Sequence, residues 1–165
     1  MSERFNEIVR DEEDTQQGKV LTFALGGEVF GIEIRYVTEI VGIQKISSIP
    51  ETPAYVKGII NLRGIIIPVF DMRLRFKKEP AAYTNRTCII IINIEELAVG
   101  LIVDSVAEVA AITDDSIAPM PDLKTGSKTG YIKGICKTDD GIKLLLDCSK
   151  LFLSSELEAL TQIQQ

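Results

Sequence analysis

The chain repeats itself. Phe30-Gly-Ile-Glu-Ile34 matches Val99-Gly-Leu-Ile-Val103, Val37-Thr-Glu-Ile40 matches Val106-Ala-Glu-Val109, and Tyr55-Val-Lys-Gly-Ile59 matches Tyr131-Ile-Lys-Gly-Ile135. Counting on from the two Gly-Ile pairs, Asp71 and Asp147 fall at equal distances, and so do Phe76 and Phe152. Each half also carries a proline loop, at Pro50 or Pro121. Two copies of so long a unit are too few for a solenoid. They point to a tandem of similar small barrels. The repeat by itself is silent on whether those barrels exchange strands.

Local patterns make the fold class mostly β. Val20–Leu25, a Gly26-Gly27 turn and Val29–Ile34 read as a hairpin, and Cys88–Ile94, Glu95-Glu96 and Leu97–Val103 read as its repeat. Asp71 and Asp147 each follow a strand, where a carboxylate can accept the free N–H groups that open a short helix. Ser155-x-x-Glu158 is a capping box for a helix with Leu157, Leu160 and Ile163 on one face. Pro68, inside an apolar run, predicts an edge strand or a bulge. The organisation expected is a polar, flexible tail over 1–17, one domain of two barrel subdomains over 18–153, and a C-terminal helix over 154–165. Lys77–Arg86, with Pro80, Thr84 and Asn85, is the exposed link between the halves.

The chemistry-bearing residues are sparse. The chain has no histidine, which removes Ser-His and Cys-His nucleophilic arrangements and the commonest zinc ligand. A Ser-Lys pair or a two-carboxylate site is not excluded by composition, but nothing places such groups together, and the reading is not an enzyme. Cys88, Cys136 and Cys148 form no CxxC, so neither a metal nor a redox pair is expected, no cofactor is implied, and the compartment reads as reducing and cytoplasmic. Gly126-Ser-Lys-Thr129 superficially resembles the end of a phosphate loop, but Pro121 stands where the first glycine is required. Asp104, Asp114 and Asp115 lack calcium-loop spacing and read as solvated turns.

A net charge of −6 argues against a basic field for nucleic acid, and six Phe and four Tyr with no Trp give few stacking platforms. The apolar runs Ile65–Phe70 and Cys88–Ile92 fall far short of the roughly 20 residues a membrane helix needs, so no direct membrane insertion is expected. Arg73-Leu-Arg-Phe-Lys-Lys78 reads as an amphipathic edge with snorkelling side chains. Asn61-Leu-Arg-Gly64 reads as a hairpin between apolar strands with Arg63 at the turn. Arg63 is then either a solvated turn residue or an arginine held by rigid strands for a partner.

The run Tyr55-Val-Lys-Gly-Ile-Ile-Asn-Leu-Arg-Gly-Ile-Ile-Ile-Pro-Val-Phe-Asp71 resembles the signature of the CheW-like domain family, the coupling proteins of bacterial chemotaxis. The resemblance continues through Phe23–Ile34, Val37-x-Glu-Ile40, Val99–Val106 and Glu108-Val109, and covers residues 18–153. It implies two intertwined five-stranded β-barrels around a shared apolar core, and a non-enzymatic adaptor without cofactors. The implied partners are the cytoplasmic tip of methyl-accepting chemoreceptors and the regulatory domain of the histidine kinase CheA. Self-association in array rings is a further expectation, as is a cytoplasmic protein recruited to the inner face of the membrane through receptors.

Residue by residue, the resemblance places Val37, Glu39, Lys57, Gly58 and Arg63 at receptor-contact positions. Cys88 stands at a groove-side position where an aliphatic residue is usual. Ile46 and Leu123 match apolar kinase-interface positions. The groove between barrels would receive a helical tip, with Val37 packing and Glu39 and Arg63 as orienting charges. The alternative within the family is an adaptor of another chemosensory pathway, such as twitching motility. Outside it, a β-barrel nucleic-acid binder is the rival, distinguished by salt-dependent oligonucleotide binding.

Overall fold

The computed structural model describes residues 18–112, 116–119, 130–138 and 141–152, together with 156, 158 and 159. The tail over 1–17 and Leu123 lie outside the described residues, as does most of the segment 154–165, in which Glu156, Glu158 and Ala159 are helical. The strands in chain order are β1 (Lys19–Leu25), β2 (Glu28–Glu33), β3 (Val37–Gly42), β4 (Val56–Leu62), β5 (Ile65–Asp71), β6 (Cys88–Ile94), β7 (Leu97–Val103), β8 (Ser105–Ala111), β9 (Ile117–Ala118), β10 (Ile132–Thr138) and β11 (Gly141–Leu146). One helical turn, α1 (Met72–Arg75), follows β5, and 3₁₀ turns occupy Ile34–Tyr36 and Cys148–Lys150. Asp71 caps α1 by accepting from the backbone N–H groups of Arg73 and Leu74, and Asp147 accepts from Ser149 N. Both caps stand where the repeat predicts them.

The two repeats exchange hairpins. One sheet runs β3-β6-β7-β5-β4 and the other β8-β1-β2-β11-β10-β9. The β1–β2 hairpin of the first repeat thus lies in the sheet built by the second, and β6–β7 lies in the sheet built by the first. Every pairing has its counterpart: β3 with β6 and β1 with β8 are antiparallel, whereas β5 with β7 and β2 with β11 are parallel. A parallel pair cannot be closed by a tight turn, so each one joins strands distant in sequence, one from each repeat.

Each sheet closes on itself. The chain leaving β3 returns to pair Ser47 with Ile59 of β4, and the chain leaving β8 returns as β9 to pair with Ile135 and Cys136 of β10. Counting β9 as the continuation of β8, both sheets are five-stranded barrels, intertwined as the resemblance implies. We call the β3-β6-β7-β5-β4 barrel the first and the other the second. The line where β3 and its continuation meet β4 is the first barrel's seam.

Strands buried on both faces explain the unbroken isoleucine runs. In β6, Ile90, Ile92 and Ile94 face a core shared by both barrels, where Leu21, Phe23, Leu25 and Phe30 meet them. Ile89 and Ile91 face the opposite way, into the first barrel with Ile60, Leu62, Ile67, Val69 and Ile102. The second barrel's interior is smaller, with Val20, Ile112, Cys136 and Leu145. It also buries Thr22, whose hydroxyl donates to the Glu108 carbonyl (2.9 Å) and accepts from Glu108 N (3.1 Å).

Pro68 does not mark an edge strand. β5 lies between β4 and β7, but its parallel ladder with β7 begins at Val69, so the missing proline N–H falls where β5 has a neighbour on one side only. The observed bulges are elsewhere and come in matched pairs. Thr38 and Ala107 are the extra residues in β3 and β8, and Lys57 and Lys133 those in β4 and β10.

Candidate functional site

The β4–β5 hairpin turns on Arg63 and Gly64, both at positive φ (52° and 88°). Asn61 makes that turn possible by accepting the Gly64 N–H on its side-chain oxygen at 2.8 Å. Arg63 therefore projects from a fixed turn. Its guanidinium crosses the seam and ion-pairs with Glu39 on β3. The Thr38 bulge immediately precedes Glu39, and the Thr38 hydroxyl donates to the Ile91 carbonyl at 3.1 Å. Arg63 keeps 67% of its side chain exposed against 19% for Glu39, so the pair offers mainly the arginine to solvent.

Val37 lies two residues before Glu39 on the same strand but is 5% exposed and belongs to the shared core. Gly58 is also buried. Its φ is 146°, and a Cβ there would lie 2.1 Å from the Ser47 carbonyl oxygen and 3.0 Å from Ile46 Cγ2. Gly58 is thus the point at which the barrel closes, and the half-buried Ile46 packs beside it onto the first barrel's core. Gly134 plays the same part opposite Ile117 and Ala118 in the second barrel.

Lys57, the bulged residue of β4, is exposed, with its ammonium 5.8 Å from the centre of the Tyr83 ring. β4 separates Lys57 from Arg63 by about 20 Å of strand. Cys88 pairs with Gly42, at the far end of β3 from Val37. Its half-buried thiol donates to the Arg86 carbonyl at 3.2 Å, and burial pushes its pKa up, so it stays protonated. The structure therefore joins Glu39 to Arg63 and Gly58 to Ile46. It keeps Lys57 and Cys88 apart from the Arg63 tip.

Several polar groups carry structure that local sequence reasoning did not find. Asp104 is not a solvated turn residue: Arg73 donates to both its oxygens (2.7 and 2.6 Å), and Gly26 N donates to one of them at 2.9 Å. The Arg73 hydrogen bonds hold the Asp104 carboxyl below the usual aspartate range. That contact ties α1 to the β1–β2 turn and to the β7–β8 corner. Arg75 donates to the Leu151 carbonyl at 2.8 Å and ion-pairs with Glu156, and Lys78 ion-pairs with Glu28. The basic run Arg73–Lys78 is thus a set of ties to both barrels. Its alternating charge was visible in the sequence; its partners, distant along the chain, were not.

In the second barrel the bulge lysine, Lys133, shares Glu33 with Arg35. Burial raises the Glu33 pKa, and the two cations outweigh it and bring it below the usual range. Cys148 lies in the shared core, and burial pushes its pKa up to about 12.

Two closed barrels wound through one another, with an exposed arginine turn on one seam, define a rigid β scaffold that offers surface side chains for contact. The chain belongs to the CheW-like domain family, which it matches over residues 19–156. It is 35% identical over 144 residues to the chemotaxis protein CheW of Klebsiella aerogenes, covering 87% of each chain. It is 36% identical over 152 residues to the chemotaxis protein CheW of Treponema pallidum, covering 90% of this chain and 89% of that one. Among solved structures, the scaffolding protein TtCheW of Thermoanaerobacter tengcongensis superposes with a TM-score of 0.75 at 40% identity, over 82% of this chain and 92% of that one.

Proposed function

We propose that this protein is a non-enzymatic adaptor that couples methyl-accepting chemoreceptors to the histidine kinase CheA. The observation that carries this reading is its membership of the CheW-like domain family along both barrels. The receptor surface is built on Val37, Glu39, Lys57, Gly58, Arg63 and Cys88, and the kinase surface on Ile46 and Leu123. Arg63 and Lys57 act as exposed cations for acidic groups on the receptor tip, with Glu39 orienting Arg63. Val37 and Gly58, being buried, act by holding the shape on which those charges stand.

The adaptor works in the cytoplasm, brought to the inner face of the membrane by its receptors. It holds two partners together while a small free-energy difference between kinase-on and kinase-off arrangements passes across it.

The test is co-sedimentation with receptor cytoplasmic fragments and CheA, with kinase ATP turnover followed in parallel. Assembly of all three, with turnover rising only when this protein is present, supports the reading. Binding to kinase without receptor sinks the receptor half of it. Binding to neither leaves the family match as a statement about fold alone.

A further inference from the structure

Lys57 and Lys133 occupy the same place in the two barrels, each the extra residue of a bulge. Their surroundings differ. Lys133 is ion-paired with Glu33, which it shares with Arg35. The position equivalent to Glu33 in the first barrel is Ile102, which is buried and apolar. Among the described residues Lys57 has no carboxylate partner, and its ammonium stands over the ring of Tyr83 instead. A cation within about 6 Å of a ring centre is attracted to its face without being neutralised. Tyr83 therefore holds the charge in one place and leaves it available.

Tyr83 is itself fixed. Its hydroxyl donates to Asp71 Oδ2 at 2.9 Å, while Asp71 Oδ1 caps α1. Asp71 is 4% exposed. Immediately after Tyr83 the link is closed by a turn in which Thr84 N donates to Thr87 Oγ1 (2.8 Å) and Thr87 N to the Thr84 carbonyl (3.2 Å). The segment joining the two repeats is thus pinned with its one aromatic ring beneath Lys57.

We propose that Tyr83 is a positioning residue of the receptor-facing surface, presenting the Lys57 ammonium to an acidic group on the receptor. The proposal rests on the reading that Lys57 faces the receptor. Burial, and then the Asp71 charge, push the Tyr83 phenol above its ordinary range, so the hydroxyl stays a donor across the physiological span.

The experiment is a double-mutant cycle in the full chain. Affinity for receptor cytoplasmic fragments and, separately, for CheA alone is measured for Lys57→Met, Tyr83→Leu, Tyr83→Phe and the Lys57→Met/Tyr83→Leu pair. Tyr83→Leu is expected to weaken receptor binding about two- to fivefold, the size of an exposed cation–π contact. The pair is expected to bind no worse than Lys57→Met alone, and kinase binding should not move. Tyr83→Phe keeps the ring and should retain more receptor binding than Tyr83→Leu. An equal loss from Tyr83→Leu in the Lys57→Met background would assign Tyr83 to the fold and overturn the proposal, as would equal losses from Phe and Leu. Normal binding by Lys57→Met would remove the reading beneath it, and the proposal falls with it.

Discussion

Arg63 and Glu39 meet across a seam that holds a single backbone bridge, Ser47 to Ile59. One residue sits on a hairpin turn and the other follows a bulge, so both backbones are shaped before the side chains meet. An exposed ion pair of this kind contributes only about 0–1 kcal/mol. Arg63→Ala should therefore lower the melting temperature by no more than about 4 °C. It should weaken receptor co-sedimentation clearly while kinase binding persists. A large thermal loss with receptor binding preserved would make the pair a structural clasp.

Gly58 predicts the opposite balance. Its φ of 146° and the 2.1 Å approach of a Cβ to the Ser47 carbonyl leave no room for alanine without parting the seam. Gly58→Ala should cost about 3 kcal/mol or more by urea unfolding. Gly134→Ala should cost less, because a Cβ there would stand 3.0 Å from the Ala118 carbonyl oxygen and 2.6 Å from Ile117 Cγ2, both longer than the 2.1 Å at Gly58, and its φ is not in the left-handed region. Equal costs at the two glycines would mean that the carbonyl contact at Gly58 is relieved by a shift of the loop.

The contrast between these glycines marks what the sequence made legible. Hairpins, the helix caps at Asp71 and Asp147, and the equivalence of the halves follow from short-range patterns and were read correctly. Hairpin exchange was not readable from the residues alone, because a repeat specifies which elements match and not which copies pair. Asp104 was misread for the same reason: its partner Arg73 lies in the other repeat, 31 positions away. Pro68 was misread because an interior strand can have one neighbour at one residue and two at the next. At the site, Arg63 was legible as a presented turn, whereas Tyr83 beneath Lys57 depends on how the link folds back.

Asp104 gives a pH prediction. Its carboxyl titrates below the aspartate reference value of 3.8 because Arg73 bonds the charged form. A carboxyl depressed in the folded state contributes stability that is complete above its unfolded value and is lost as pH falls through its folded value. Asp104→Asn should thus be less stable than the parent by about 1–2 kcal/mol at pH 7. That gap should narrow below pH 3.8 as the parent's own carboxyl protonates. Urea titrations of both proteins at pH 7 and at about pH 3 read it, since every other carboxylate is common to the two proteins. A gap that stays constant with pH would show that asparagine costs packing and not charge.

Hairpin exchange makes the strongest demand on experiment. The first repeat alone lacks β6 and β7, the neighbours of β3 and β5, and the second alone lacks β1 and β2, the neighbours of β8 and β11. Each piece would expose both sides of strands that are buried on two faces, and would leave half of the shared core behind. A chain cut by a protease site placed between Ala81 and Ala82, within the link, should remain one particle in gel filtration under native conditions. The separated pieces should show no cooperative melt by circular dichroism, and mixing them should restore both the melt and the single particle. The strap from Tyr83 to Asp71 then becomes a contact between pieces and not within one chain. If either piece melts cooperatively alone, it has closed a barrel from its own strands, and the exchanged pairings of β2 with β11 and β5 with β7 are not what holds the fold together.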